Sequence, residues 1–439
     1  MAAWRVSLAT LCLLSLFLVR TTALDADHDA WDAWVATCLP AQPADSGARL
    51  RAGVQGGGDE DDVMATPLRP REMAAMHRVL RQDAKRQDMA NRVLHILGHR
   101  PDRLAHCSVV FLVNFMPDAD LDALKPSFVA ENVRGALRAR KTFHWASLAP
   151  LPVFYNDVLP YASLTEPRDP WRPKLFEFMR EATSGCLDAV CAALALNSHA
   201  WEIVDPPIIF VAAKPDELNS YSPFQTMARH NASCTGLSVF LVDALRAAGV
   251  PSRIAGVPHW NKGVTVCPGG DADAPCGNHN WVEVFVDGGW HFLDQRGAHN
   301  ELDRGWFFPA DTNLQVPAGK DGAQTNHSIF SSSWAPGEVL LKLDPHAYAS
   351  FSPFSHFPMV WDWAARSVPA WESVAFYHRG RKGRAAPGLA DAMDSFDDLL
   401  CDDGFACADE EEAKSDPAPR RIKTFNKATA LTISCESWT

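Results

Sequence analysis

The chain has 439 residues, of which 47% are hydrophobic and 21% charged. That is ordinary globular usage for about two to four domains. Global disorder is excluded, because enough apolar surface exists to offset chain entropy. A net charge of −12 argues against nucleic acid as the main partner, since phosphate binding needs a basic footprint.

Residues 1–23 carry one early cation, Arg5, then apolar Val6 to Val19, then small Thr21-Thr22-Ala23. This pattern predicts a secretory signal peptide. The run is shorter than the roughly 20 residues of a bilayer span, so the mature chain is expected in the secretory lumen or outside the cell, without a membrane segment. Disulfides are then permitted. Of 11 cysteines, Cys12 leaves with the signal. Cys186/Cys191, Cys267/Cys276 and Cys401/Cys407 are candidate local bridges, although sequence does not decide connectivity. No Cys-x-x-Cys pair exists, so a zinc knuckle has no support. Asn231-Ala232-Ser233 and Asn326-His327-Ser328 are candidate glycan sites in a secreted chain.

Residues 24–65 hold a short apolar piece around Trp31 to Leu39 and a Gly/Asp/Glu linker, Gly56 to Asp62. Residues 66–204 read as a helical region, with helices predicted over 69–98, 121–141 and 171–200 and a break at Ser184-Gly185. Character changes near Pro206, where a core over 205–310 begins. Residues 208–213 read as a short strand. Cys234 to Ala248 carries Leu237, Phe240, Leu241, Ala244, Leu245 and Ala248, the stripe of an amphipathic helix, with a stop at Gly249 and Pro251. Strands follow over Ser252–Val257, Asn278–Val286 and Trp290–Asp294, the last two joined through Asp287-Gly288-Gly289. A helix followed by an antiparallel meander is an α+β pattern. Residues 311–380, rich in aromatics and proline, predict a small C-terminal β-rich module. Residues 381–439, basic and then acidic, read as a charged, disordered tail without calcium-loop spacing.

Three residues carry a possible chemistry. Cys234 falls on the first turn of its helix, where the helix dipole favours a thiolate, and a neighbouring imidazolium would favour it further. His279 lies near the start of one strand and Asp294 ends the next. A carboxylate can hold one ring nitrogen while the other faces the sulfur. The two lie directly opposite only if a bulge or wider loop shifts the hairpin from its turn signal. A lone cysteine at a helix start is more often structural; the three together favour catalysis. Nearby His230, His259, His291 and His299 read as surface or support residues.

Asn231-Ala232-Ser233-Cys234-Thr235-Gly236-Leu237, Gly277-Asn278-His279-Asn280-Trp281-Val282-Glu283 and Gly289-Trp290-His291-Phe292-Leu293-Asp294 resemble, in order and spacing, the transglutaminase-like superfamily. Glu131-Asn132-Val133, Phe154-Tyr155-Asn156-Asp157, Trp171-Arg172 and Leu302-Asp303-Arg304-Gly305-Trp306-Phe307 are similar to a secreted branch best represented in bacteria. The resemblance implies a papain-like core, with a Cys-bearing helix packed on an antiparallel sheet. Carried over, Cys234 is the nucleophile, His279 the base and acid, and Asp294 the orienting carboxylate. The oxyanion-hole tryptophan of animal members has no clear match. Gln225, nine residues before Cys234, is a candidate side-chain donor, the backbone N–H of Cys234 a candidate main-chain donor, and Trp281 a candidate for core or cleft wall. The animal calcium sites are not recognisable, so no cofactor is expected. A flap closed by Cys267 and Cys276 would sit beside the cleft. The implied activity is acyl transfer or hydrolysis at an amide of a protein or peptide through a thioester, as protease, amidase or glutamine crosslinker. The alternatives are a silent domain that binds protein or glycopeptide in its cleft, and a structural protein with Cys234 in a disulfide.

Overall fold

A computed structural model describes residues 31–39, 63–80, 83–212, 220–263, 276–297, 300–319, 327–358 and 368–378. The signal segment 1–23, the tail 381–439, Cys267 and the Cys401/Cys407 pair lie outside the described residues. Among the described residues no helix is long and apolar enough to cross a membrane.

The N-terminal region is helical: α1 (31–38), α2 (Pro70–Met76), α3 (Ala84–Leu97), α4 (Arg103–Asn114), α5 (Asp118–Ala123), α6 (Pro126–Thr142), α7 (Leu151–Asp157), α8 (Trp171–Ala182) and α9 (Ala189–His199). Two of the three expected helices are divided more finely than their periodicity suggests. Asp83 caps a fresh start for α3, its carboxylate accepting from the N–H groups of Lys85 and Arg86. Pro126 holds Lys125 extended at ψ 142°, which separates α5 from α6, as a residue before proline must. The break at Ser184-Gly185 lies between α8 and α9, where Cys186 and Cys191 form a disulfide. A second disulfide joins Cys38 to Cys107 and fastens α1 to α4.

Six strands form one antiparallel sheet in the order β5-β4-β3-β6-β8-β7: β3 (Ser252–Val257), β4 (His279–Val286), β5 (Gly289–Leu293), β6 (Phe330–Ser332), β7 (Ser352–Phe354) and β8 (Ala370–Glu372). The molecule is thus α+β. The C-terminal strands add to the core sheet: β6 pairs with the open edge of β3 through Ala255↔Ser331 and Gly256↔Phe330. Pairing of this kind satisfies an edge that would otherwise be left with orphan amides. A smaller parallel pair, β1 (Ile209–Phe210) and β2 (Asn231–Ala232), flanks α10 (Pro223–Arg229) and leads into α11 (Cys234–Ala247). Helices α12 (Gly337–Leu343) and α13 (Val374–Tyr377) follow β6 and β8.

Every residue of α11 from Thr235 to Ala247 is buried, which makes it the central helix. Val282, Val284 and Val286 of β4 join its core, whereas Trp281 joins a second core with Ala255, Phe292 and Phe307. This is the period-2 alternation of a strand buried on both faces. Buried polar groups hold the layers together. The Arg172 guanidinium donates to Asn132 Oδ1 at 2.8 Å and to the carbonyls of Arg246, Val158 and Pro160, joining α6 and α8 to the C-terminal end of α11. Asn156 Oδ1 accepts from Ser333 Oγ and from the N–H groups of Trp334 and Ala335, and Asp157 accepts from the Tyr348 hydroxyl at 2.8 Å. The Phe154 to Asp157 and Trp171-Arg172 blocks therefore serve as interlayer ties.

Candidate active site

The turn that presents Cys234 is set by small residues. His230 ends α10 in the left-handed region at φ 58°, β2 follows, and Ser233 precedes the helix. A Cβ on Gly236 would press on the Ala232 methyl at 2.7 Å, so only glycine lets the helix fold back this closely against β2. Cys234 then stands at the N-terminal end of α11, where first-turn N–H groups lack intrahelical partners. It is half-buried and is the one free cysteine among the described residues; the disulfide-bonded alternative for it does not hold. Cys276, three residues before His279, is disulfide-bonded.

His279 is the first residue of β4 and Asp294 lies one residue beyond β5. The hairpin closes on Val286↔Gly289 through Asp287 and Gly288, both at positive φ (51° and 77°), a two-residue turn matched to strand twist. No bulge or wider loop shifts it. The expected directly opposed pairing of His279 with Asp294 is therefore corrected to a diagonal one, which long side chains can bridge. Asp294 Oδ1 stands 3.5 Å from His279 Nε2, and both residues are 5% exposed.

The imidazole and the Cys234 thiol also shift each other's titration, so one ring is coupled to both sulfur and carboxylate. The strand start is fastened to the helix start as well: Asn280 Nδ2 donates to Thr235 Oγ1 at 2.8 Å, and Gln295 Nε2 donates to the carbonyls of Asn280 and Cys234. Burial alone would raise the thiol pKa. The bond and charge of His279, the Asn280 N–H and the Thr235 hydroxyl outweigh it and bring the thiol below its usual value. Burial likewise opposes a charged imidazole, but Asp294 and Cys234 raise His279 to about 9. Both shifts favour a thiolate–imidazolium pair.

The structure places the two remaining candidates elsewhere. Gln225 is exposed on α10, and its carboxamide oxygen accepts from the Ser222 N–H in a capping box. No contact joins it to Cys234, His279 or Asp294 among the described residues. Trp281 is fully buried, its ring stacked on Phe307 at 4.5 Å and 5.7 Å from the His279 ring. It underlies the histidine and is not an exposed wall. The exposed ring beside His279 is Trp306, 40% exposed, with centroids 5.2 Å apart. Its neighbour Gly305 packs against Asp294, where a Cβ would come within 3.4 Å of the Asp294 Cβ. The Leu302 to Phe307 block was visible in the sequence, but nothing in it distinguished the exposed ring from the buried one. His291 pairs with Asp303 at 2.6 Å, apart from Asp294.

Residues 177–295 match the family model described as the transglutaminase-like superfamily. The matched segment contains Cys234, His279 and Asp294. Enzymes of this superfamily generally work through a cysteine. No curated protein and no solved structure matches the chain.

Proposed function

We propose that the transglutaminase-like domain at residues 177–295 is a secreted thiol enzyme that performs acyl transfer or hydrolysis at an amide bond of a protein or peptide. The observation that carries this reading is the single imidazole of His279, 3.5 Å from Asp294 and electrostatically coupled to the free thiol of Cys234 at the start of α11. His279 holds the thiol proton. The thiolate sulfur attacks the amide carbonyl carbon, and the carbonyl electron pair moves onto oxygen. Unpaired N–H groups of the first turn of α11, that of Cys234 foremost, hold the oxyanion. The imidazolium gives its proton to the leaving nitrogen, the C–N bond breaks, and a thioester remains. Water or an amine then attacks the thioester while His279 takes a proton from it. The C–S bond breaks and the thiolate returns. These steps use the chain's own groups and call for no cofactor. Two disulfides and the apolar leader sequence support a secretory location.

Incubation with a glutamine-containing peptide library, with and without a labelled amine, separates the outcomes by mass: deamidation, cleavage or crosslinking. Cys234→Ala and His279→Ala are expected to abolish turnover, and Asp294→Ala to leave a residual rate, because orientation contributes less than the nucleophile. Equal activity in all three variants would show the triad assignment to be wrong.

A further inference from the structure

His279 begins its strand, and Val257↔His279 is the last pair that β3 makes with β4. The backbone therefore holds this residue from one side only, and its ring depends on side-chain neighbours. Two of these, Trp281 and Phe307, are fully buried and stacked on each other. Alternation along β4 puts Trp281 and Glu283 on the same face as His279.

A continuous polar chain runs under that face. The Trp281 indole N–H donates to the Tyr377 hydroxyl, whose own hydrogen goes to Glu283 Oε1 at 2.7 Å. The same oxygen accepts from Ser331 Oγ at 2.9 Å. Glu283 Oε2 accepts from Arg253 Nε at 2.7 Å, and the guanidinium is flanked by the rings of Trp290 and Phe351 at 3.8 and 4.2 Å. Arg253, Glu283 and Tyr377 are all buried. Other buried indoles do without such an arrangement: Trp34, Trp290 and Trp371 have no acceptor among the described residues. Trp145, Trp171, Trp201 and Trp334 donate to backbone carbonyls; among the described residues the indole beneath the histidine is the one held by an anchored hydroxyl.

We propose that Tyr377 and Glu283 are positioning residues, which lock the Trp281 indole and through it the His279 imidazole against the Cys234 thiol. Glu283 fixes the direction of the Tyr377 hydroxyl, because a carboxylate with no proton can only accept. The hydroxyl oxygen is thereby left to accept from the indole. Residues 327–378, which supply Ser331 and Tyr377, thus complete the site from outside the segment that the family model matches. This role presupposes the thiol-enzyme reading.

Tyr377→Phe removes one oxygen and keeps the ring. It leaves the indole N–H without a partner, and a misplacement of reacting groups by about 1 Å costs up to about 100-fold in rate. A tilt of the ring is therefore expected to slow alkylation of Cys234 by iodoacetamide at pH 7 roughly tenfold, read by peptide mass mapping, and to alter its pH profile. Tyr348→Phe is the control. It deletes an equally buried hydroxyl bonded to Asp157, with a comparable loss of thermal stability and no change in Cys234 reactivity. Trp281→Phe needs no acceptor, so adding Tyr377→Phe to it should cost no further reactivity. Wild-type alkylation rates and pH profile in Tyr377→Phe would overturn the proposal, as would full additivity in the double variant. Absence of a fast-reacting Cys234 in the wild-type protein would instead overturn the thiol-enzyme reading itself.

Discussion

At the scale of single residues, the site is governed by where charge is tolerated. Cys234 and His279 are shifted in opposite directions, the thiol down and the imidazole up to about 9. Because the groups are coupled, the two limbs of a pH–rate profile belong to the pair. The acid limb should follow protonation of the thiolate and lie below the pH of an ordinary thiol. The alkaline limb should follow loss of the imidazolium proton and lie near pH 9, since the leaving amine then lacks its acid. Asp294→Asn removes the anion that stabilises the imidazolium, so the alkaline limb should move to lower pH while the fold is kept. Measurement of kcat/KM against pH checks this, and an unmoved alkaline limb would mean that Asp294 does not hold the ring. The sequence made these three residues legible because each stands at an element boundary with its own signal. Gln225 failed for a related reason: a Gln three residues after a Ser is also a capping signal, and in this chain the cap claims the carboxamide. Of the two readings of Trp281, core and cleft wall, the structure supports core; the sequence leaves both open because alternation along β4 marks a face but does not say that the face is fully covered.

At the scale of elements, the central helix was the most readable part, and its end illustrates why. Gly249 follows α11 at φ 72°, and a Cβ there would meet the Ala146 methyl. The glycine is needed both for its backbone angle and for the close approach of the His144–Ser147 turn. Gly249→Ala should therefore destabilise the protein by about 1–3 kcal/mol in denaturant melts. Cys234 reactivity should persist in the folded fraction, because the substitution lies at the far end of the helix. A neutral effect would show that the neighbouring turn can yield. Strands β3, β4 and β5 fall within a residue of their expected limits, because the two-residue turn and the β-branched runs on either side agree. The helices α4 and α7 were not legible. Leu104 to Val113 and Leu151 to Asp157 are buried all round, and a helix without a solvent side has no stripe to detect.

At the scale of the whole molecule, long-range ties are what sequence least reveals, and the two disulfides with both cysteines among the described residues separate the legible from the hidden. Cys186–Cys191 spans 5 residues and was expected; Cys38–Cys107 spans 69 and was not, since spacing carries no signal at that length. In the chain-entropy view, a loop of the longer kind stabilises by about 4 kcal/mol and the shorter by about 2 kcal/mol. Both Cys38 and Cys107 are fully buried, as is Trp34 of α1 on the same core. Reduction of that bridge therefore has to wait for an opening of the helical layer, whereas Cys191 is exposed. Under a dithiothreitol titration in native buffer, Cys186 and Cys191 should become alkylatable first, with the fold retained. Cys38 and Cys107 should follow only with loss of cooperative structure. The Cys38→Ser/Cys107→Ser variant should lose about twice the stability of Cys186→Ser/Cys191→Ser. The reverse order of reduction, or equal losses, would mean that α1 is fastened to α4 by the packing of Trp34 on Phe111 and not by the bridge.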